Sequence, residues 1–586
     1  MMLNRVKPWL LSHELVIWLG VIIFSVLYSQ DNIGGNSYLI PFNITVWTSV
    51  TCFILYSLGK IVFNQKIYVS QWAFWFYILL ASIFFVGLVK TKLPNDQLII
   101  LLASFSVVFL FVLSLYQYRI TQRNINLILL LICTVGFIEV LVSLVQMYDS
   151  KLIIHSVISY VPLKLHGRPQ GTFQHVNLLA IFLALTVVAS FYIYSSAATR
   201  QGSVFKRIYL IVLAFMAMYV LSLIGSRGGL LAIVLGLFAI LFAKRKLWSS
   251  SAVYLSYWLI SITLGYALSF MIYPDTSSWG SVSDKMSTML AGSDVRFFLY
   301  SSAVQMFLES PLYGYGLGNY NVQLMNFIAV NGVNESVIDF DFSVFHHPHN
   351  ELLYWVVQSG GIVLLVALLL VFLYFKKVAY FRSSVGLSLF ALALPLVVSS
   401  MVSLPFILSG LHLFLFLLIV FIGIRHDKKS YAFSLVKGVK YIVLVFILGV
   451  SLNVTYFGWH TLKSSYEFFK FDFRAELARG QPYSDLLKVT YLDHASFNFF
   501  YQERSVEIMN ALGTEAIVNR NSYLLGRYVI WVMNQPVSER NYLKLMKVVK
   551  VHLELNEIKF AKNLYRILLV KYKGFDLKKY EFLLQS

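Results

Sequence analysis

Three histidines fall within four residues in Phe345-His346-His347-Pro348-His349-Asn350, at the end of a long polar stretch and just before an apolar run that begins near Glu351. Pro348 suits the first turn of a helix, which would place His349 and Asn350 among the unpaired backbone N–H groups at its start. The positive end of the helix dipole favours anions there and disfavours imidazolium. His349 therefore reads as a neutral base beside an anion site, a pairing suited to taking a proton from an attacking nucleophile. The same histidines, with Asp339 or Asp341, would be the start of a metal site. The chain has no C-x-x-C or H-E-x-x-H pattern to complete one, and Pro348 prevents a regular helical pairing of His346 with His349, so no metal is expected.

Three arginines supply partners for an anion. Arg168 lies in His166-Gly167-Arg168-Pro169-Gln170-Gly171-Thr172-Phe173, Arg227 in the short turn Gly225-Ser226-Arg227-Gly228-Gly229, and Arg296 opens a segment with Phe297, Tyr300, Val304 and Phe307 at helical spacing. Guanidinium binds phosphate through two parallel hydrogen bonds and stays charged at any relevant pH, so three of them suit a pyrophosphate. The plainer reading is snorkelling to water or lipid headgroups for Arg296 and an ordinary turn for Arg168. Arg227 has almost no loop in which to hide, and its glycines allow close approach of backbone or ligand. The glycines of Pro311-Leu312-Tyr313-Gly314-Tyr315-Gly316-Leu317-Gly318-Asn319-Tyr320 do not make a nucleotide site, because no strand precedes them. A flexible, aromatic-lined loop over a site is the expectation there.

These residues must be positioned by membrane-spanning helices. Of 586 residues 58% are hydrophobic and only 13% charged, which excludes a water-soluble globular protein. Apolar spans fall near 10–29, 40–58, 72–89, 98–117, 126–147, 176–195, 208–224, 229–243, 252–272, 351–374, 384–402, 408–424 and 437–457, roughly thirteen crossings. The fold class is all-α and polytopic. Basic residues mark alternate loops, among them Lys60 and Lys66, Arg119 and Arg123, Arg200 with Arg207, Lys244 with Arg245, and Arg425 with Lys428. That bias puts the N-terminus in the cytoplasm and makes much of the +20 net charge a topology signal, so no nucleic-acid partner is expected. The loop around 149–175, the turn at 225–229, the long loop 273–349 and everything beyond about 458 then share the opposite side. The chain divides into a transmembrane domain, 1–457, and an extracytoplasmic helical domain, 458–586. Cys52 and Cys133 lie inside predicted spans, so no disulfide framework is implied. Glu139, Gln146 and Asn177 are polar groups in or beside spans and are expected to face the bundle interior.

Taken together the motifs resemble those of bacterial O-antigen ligases and polymerases, and within them the PglL-type protein O-oligosaccharyltransferases. The likeness runs over about 135–425. Glu139 to Gln146 is similar to an intramembrane Glu and Gln pattern, Gly171-Thr172-Phe173 to Asn177-Leu178-Leu179-Ala180 to a glycine-threonine-phenylalanine motif, and Ser226-Arg227-Gly228-Gly229 to a Ser-Arg turn. Asp294-Val295-Arg296 with Pro311 and its glycines resembles the large periplasmic loop, and His347-Pro348-His349-Asn350-Glu351 its His-x-His-Asn end. One departure is His175, which stands where protein-transferring members commonly carry glutamine.

The resemblance implies a GT-C-like glycosyltransferase of the bacterial inner membrane, with active site and C-terminus in the periplasm and no cofactor. Its donor would be a glycan on undecaprenyl pyrophosphate and its acceptor a serine or threonine of pilin or another periplasmic or secreted protein. His349 would be catalytic, and Arg168, Arg227 and Arg296 would bind the pyrophosphate. His175, Asn177, His347, Asn350, Glu139 and Gln146 would be supporting or acceptor-side residues, and membrane lipids the remaining partners. The rival acceptors are lipid A core, for a ligase, and another glycan repeat, for a polymerase. A transporter of an anionic lipid or metabolite is the rival from another class, but the candidate groups gather at one face and no internal repeat is seen.

Overall fold

The computed structural model describes residues 2–30, 40–88, 90–91, 95–148, 168–272, 295–332, 347–380, 384–477, 495, 498–533 and 539–572. The expectations for His346, Asp294, Asp339 and Asp341, and for most of loops 149–175 and 273–349, lie outside the described residues. In chain order the helices are α1 (Met2–Phe24), α2 (Pro41–Asn64), α3 (Gln71–Leu88), α4 (Asn95–Tyr116), α5 (Gln122–Tyr148), α6 (Val176–Tyr194), α7 (Ala197–Arg200), α8 (Val204–Ile224), α9 (Arg227–Ala243) and α10 (Arg245–Ile272). They continue with α11 (Val295–Glu309), α12 (Tyr320–Asn331), α13 (Glu351–Ser359), α14 (Gly361–Tyr380), α15 (Ser384–Ser400), α16 (Pro405–Leu408), α17 (Gly410–Ile424) and α18 (Lys437–Leu477). The last four are α19 (Gln502–Val518), α20 (Ser522–Met533), α21 (Glu539–Glu554) and α22 (Ile558–Lys571). Among the described residues the one sheet is an antiparallel ribbon of β1 (Lys66–Val69) and β2 (Lys429–Ala432), with Lys66 opposite Ala432.

Seven of the described helices are long and apolar enough to cross a membrane, and five shorter apolar helices accompany them. The chain is an all-α polytopic membrane protein. At its centre stands α6, 89% of whose span is buried, against α5, α8, α9 and α15. Its sequence is apolar on every face, which is what a helix enclosed by other helices requires. In contrast, only 6% of the apolar span of α18 is buried, the pattern of a helix whose sides face lipid.

The chain separates into two compact units, one of 1–30 with 36–455 and the other of 31–35 with 456–586. In the second, α19 to α22 pack as consecutive pairs, with Gly513 of α19 lying beneath the ring of Tyr528 so closely that a Cβ would come within 2.3 Å of it.

Three boundaries differ from expectation. The apolar run 351–374 is two helices, broken at Gly360, whose φ of 74° and ψ of −169° are open essentially only to glycine. The supposed turn 225–229 is confined to Gly225, left-handed at φ 66°, and Ser226, whose hydroxyl caps α9 by accepting from Gly229 N–H at 3.2 Å. The last apolar run does not end near 457 but continues as helix to Leu477.

Candidate functional site

The helix after the histidines starts later than Pro348 implies. Asn350 is its cap, accepting from Leu353 N–H at 3.0 Å, and Glu351 is its first residue. His349 precedes the cap in the left-handed region, at φ 55°. A non-glycine residue held there marks a site where tertiary contacts override local preference. Those contacts are visible. The Asn350 side chain donates to Met401 O at 2.9 Å, and the Tyr300 hydroxyl lies 3.3 Å from both Met401 O and His349 O. The backbone N–H of His349 donates to Nδ1 of His347 at 3.3 Å, and the two rings meet edge to face with centroids 4.6 Å apart.

Glu351 extends the grip. Its Oε2 accepts from Phe406 N–H at 3.3 Å, in the first turn of α16, and its side chain is 5% exposed. α13 ends at Ser359, before the apolar α14 begins at Gly361, so Glu351 lies outside that apolar helix. Burial pushes the Glu351 carboxyl up to about 8.

Tyr300 belongs to α11, which Arg296 also opens. The two lie four residues apart and share a face, so the helix that touches the His349 turn presents Arg296 on the same side. The face buried in α11 is Phe298, Leu299, Ser302, Ala303 and Met306, packed on α12 and α13. The stripe expected from spacing includes Phe297 and Val304, which are exposed, and this leaves an apolar outer face suited to the membrane surface.

Arg227 is the first residue of α9 rather than a loop residue. The start of α9 meets the same segment that holds the His349 turn, because a Cβ on Gly228 would stand 2.9 Å from Val402. One residue on, Gly229 faces Ala180 of α6, one turn into the helix that His175 caps. The starts of α6 and α9, the segment Met401–Ser403, and the His349 turn therefore share one end of the bundle, and with them come His175, Asn177 and Arg227.

His175 accepts from Leu178 N–H through Nδ1 at 3.4 Å, and burial pushes its imidazole below the ordinary range, so it acts as a neutral cap. The strip that leads into it from Arg168 is bracketed from α5. Glu139 takes the N–H of Thr172 at 2.9 Å and also meets its hydroxyl, which donates to Val26 O at 2.8 Å. Gln146 accepts from the N–H groups of Gln170 and Gly171 at 3.0 and 2.9 Å and donates to Gly171 O at 3.2 Å. Gly171 is left-handed at φ 59°, and any Cβ would fall 2.2 Å from a Glu139 oxygen. Glu139 and Gln146 thus spend their hydrogen bonds on the shape of the strip that presents Arg168.

The glycine-rich segment is not a flexible cover. Tyr315 and Gly316 donate to the carbonyls of Val357 and Gln358 at 2.9 Å each, Gly361 donates to Pro311 O at 2.7 Å, and Lys90 holds Gly314 O at 3.2 Å. A Cβ on Gly314, Gly316 or Gly360 would come within 2.6 Å of neighbouring backbone. These glycines form a packed joint between α3, α11 and the α13–α14 break.

Sequence reasoning named Tyr300 and Glu351 only as a face residue and a motif end, without their contacts, and it missed a buried node behind the strip. There His412 lies tilted against Phe173, with ring centroids 5.4 Å apart, and shares a 2.7 Å hydrogen bond with Ser409. Asn43 ties Leu408 O and Gly410 N–H at 2.8 and 2.9 Å. Polar residues inside apolar runs, such as Asn43 and His412, were the available signal.

No curated protein matches the chain. Residues 211–368 match the family model described as O-antigen ligase, and they hold Arg227, Arg296, His347, His349 and Asn350. The match supports placing this segment in the O-antigen ligase/polymerase superfamily.

Proposed function

We propose that the chain transfers a glycan from undecaprenyl pyrophosphate to serine or threonine hydroxyls of periplasmic proteins, with His349 as the base. The observation that carries the reading is the shared footing of the His349 turn and the start of α9 on Met401–Ser403, which brings an imidazole and the helix bearing Arg227 to one place. In the reaction the hydroxyl oxygen bonds to the anomeric carbon as the bond from that carbon to the pyrophosphate oxygen breaks. The hydroxyl proton passes to His349, and undecaprenyl pyrophosphate leaves with the electron pair. Arg227, Arg296 and Arg168 offset the charge that grows on the leaving group. The sugar-phosphate bond supplies the driving force, so no nucleotide is consumed. The strip bracketed by Glu139 and Gln146, leading into the helix that His175 caps and Asn177 begins, supports Arg168, while His347 and Asn350 fix the His349 turn.

The family description favours a second reading in which lipid A core is the acceptor. One assay separates the two. Purified protein is given a lipid-pyrophosphate glycan and a panel of pilin, secreted protein and lipid A core. Glycan on a serine or threonine, lost in His349→Ala, supports the protein transferase; glycan on lipid A core alone makes the chain a ligase.

A further inference from the structure

Glu351 is a buried acid that the proposed chemistry does not use. Its Oε2 accepts from Phe406 N–H at 3.3 Å, while its Oε1 is buried with no hydrogen-bond partner among the described residues. A carboxyl buried with one oxygen unmatched is costly, and an apolar side chain would fill the same volume without that cost. What the carboxyl adds is a directional tie two residues from His349. Asn350 grips the segment at Met401 O, 2.9 Å away, and Glu351 grips it again at Phe406. Consecutive residues after His349 therefore hold two points of a stretch that also contacts the Arg227 helix through Val402, where a Cβ on Gly228 would stand 2.9 Å off.

We propose that Glu351 is a positioning residue for His349, fixing the histidine turn against Met401–Phe406 so that its imidazole keeps register with the start of the Arg227 helix. The inference rests on the reading of His349 as the base. Misplacing a base by about 1 Å costs up to about a hundredfold in rate, while donor binding, which depends on groups from other elements, is left intact. A split between kcat and KM is the expected mark.

The test compares Glu351→Ala, Glu351→Gln and Glu351→Asp in the purified full chain, with kcat, donor KM and the thermal unfolding midpoint measured together. Alanine is expected to lower kcat by about ten- to a hundredfold with donor KM unchanged. Glutamine, which keeps an acceptor for Phe406 N–H, is expected to recover most of that loss. Aspartate, one methylene too short to reach, keeps the carboxyl group and gives a readout should alanine fail to fold; it is expected to lose kcat as alanine does. Wild-type kcat in the aspartate variant overturns the proposal. So does a loss that follows the unfolding midpoint and raises donor KM in step, the mark of a purely structural acid. Equal inactivity of glutamine and alanine at unchanged unfolding also overturns it, since the carboxyl would then act chemically. A wild-type protein that transfers glycan to no acceptor of the panel removes the function reading itself, and this inference with it.

Discussion

His349 is held in a backbone conformation that few residue types share, and the hold comes from its neighbours rather than from itself. Replacing it with alanine removes the imidazole and is expected to cut transfer by about 10²- to 10⁴-fold, the usual contribution of a positioned base, with donor binding retained in a lipid-glycan binding assay. His349→Asn offers a control, since asparagine tolerates the left-handed region. It should unfold at a temperature close to the wild type and still be inactive. Glu351 carries a pH signature. Its folded value near 8 lies above the roughly 4.3 of an unfolded glutamate, so the folded chain keeps a proton that the unfolded chain has lost. Its contribution is thus most favourable below about pH 4.3 and is lost progressively as pH rises through about 8. Tyr354 on the same helix and the two nearby histidines also face this region, so the comparison that isolates the carboxyl is wild type against Glu351→Gln. The wild-type unfolding midpoint should fall more steeply between pH 5 and 8 than that of the glutamine variant. Parallel profiles would remove the buried acid from the account.

At the scale of elements, glycines decide where helices may pass one another. Gly360 sits against Leu312 O, 2.2 Å from where a Cβ would be, in a backbone region closed to other residues. Gly360→Ala should cost about 2 kcal/mol or more and lower the yield of folded protein, whereas an alanine at Gly449, which has open space around it, should leave yield unchanged. Size-exclusion profiles of the two variants check this. The same contrast explains what the sequence could and could not disclose. The spans, the inward-facing acid and amide of α5 and the basic loops were legible, because each depends on local pattern or on the cost of polar groups in hydrocarbon. The break at Gly360 was not, because the apolar run passes through it without interruption. Nor was the left-handed His349: Pro348 is a fair helix-start signal by local rules, and it is overruled by Asn350 reaching Met401, fifty-one residues away. The glycine joint misled for the same reason. Its glycines looked like freedom, and they mark contact.

Across the whole molecule the two ends of the bundle differ in kind. α6 runs for 19 residues, about 28 Å, close to the thickness of a hydrocarbon core. Its beginning, capped by His175, lies with the starts of α9 and α17 and with the His349 turn. Its end meets Lys244, which donates to Tyr192 O at 3.2 Å and Ser195 Oγ at 2.7 Å, and near it stand Arg200 and Arg425. The excess of basic residues at this second end is what a cytoplasmic end is expected to carry, since such residues are retained on that side. On the reading proposed above, the His349 end would face the periplasm, where a lipid-linked glycan and a secreted acceptor would meet it. Cysteine labelling decides the point. With Cys52 and Cys133 replaced by serine, single cysteines at exposed positions Gln201, beyond the end of α6, and Arg520, between α19 and α20, are offered a membrane-impermeant maleimide in intact cells. Arg520→Cys should react and Gln201→Cys should react only after the membrane is opened. The reverse pattern would turn the chain over and leave its histidine turn in the cytoplasm, away from any periplasmic acceptor.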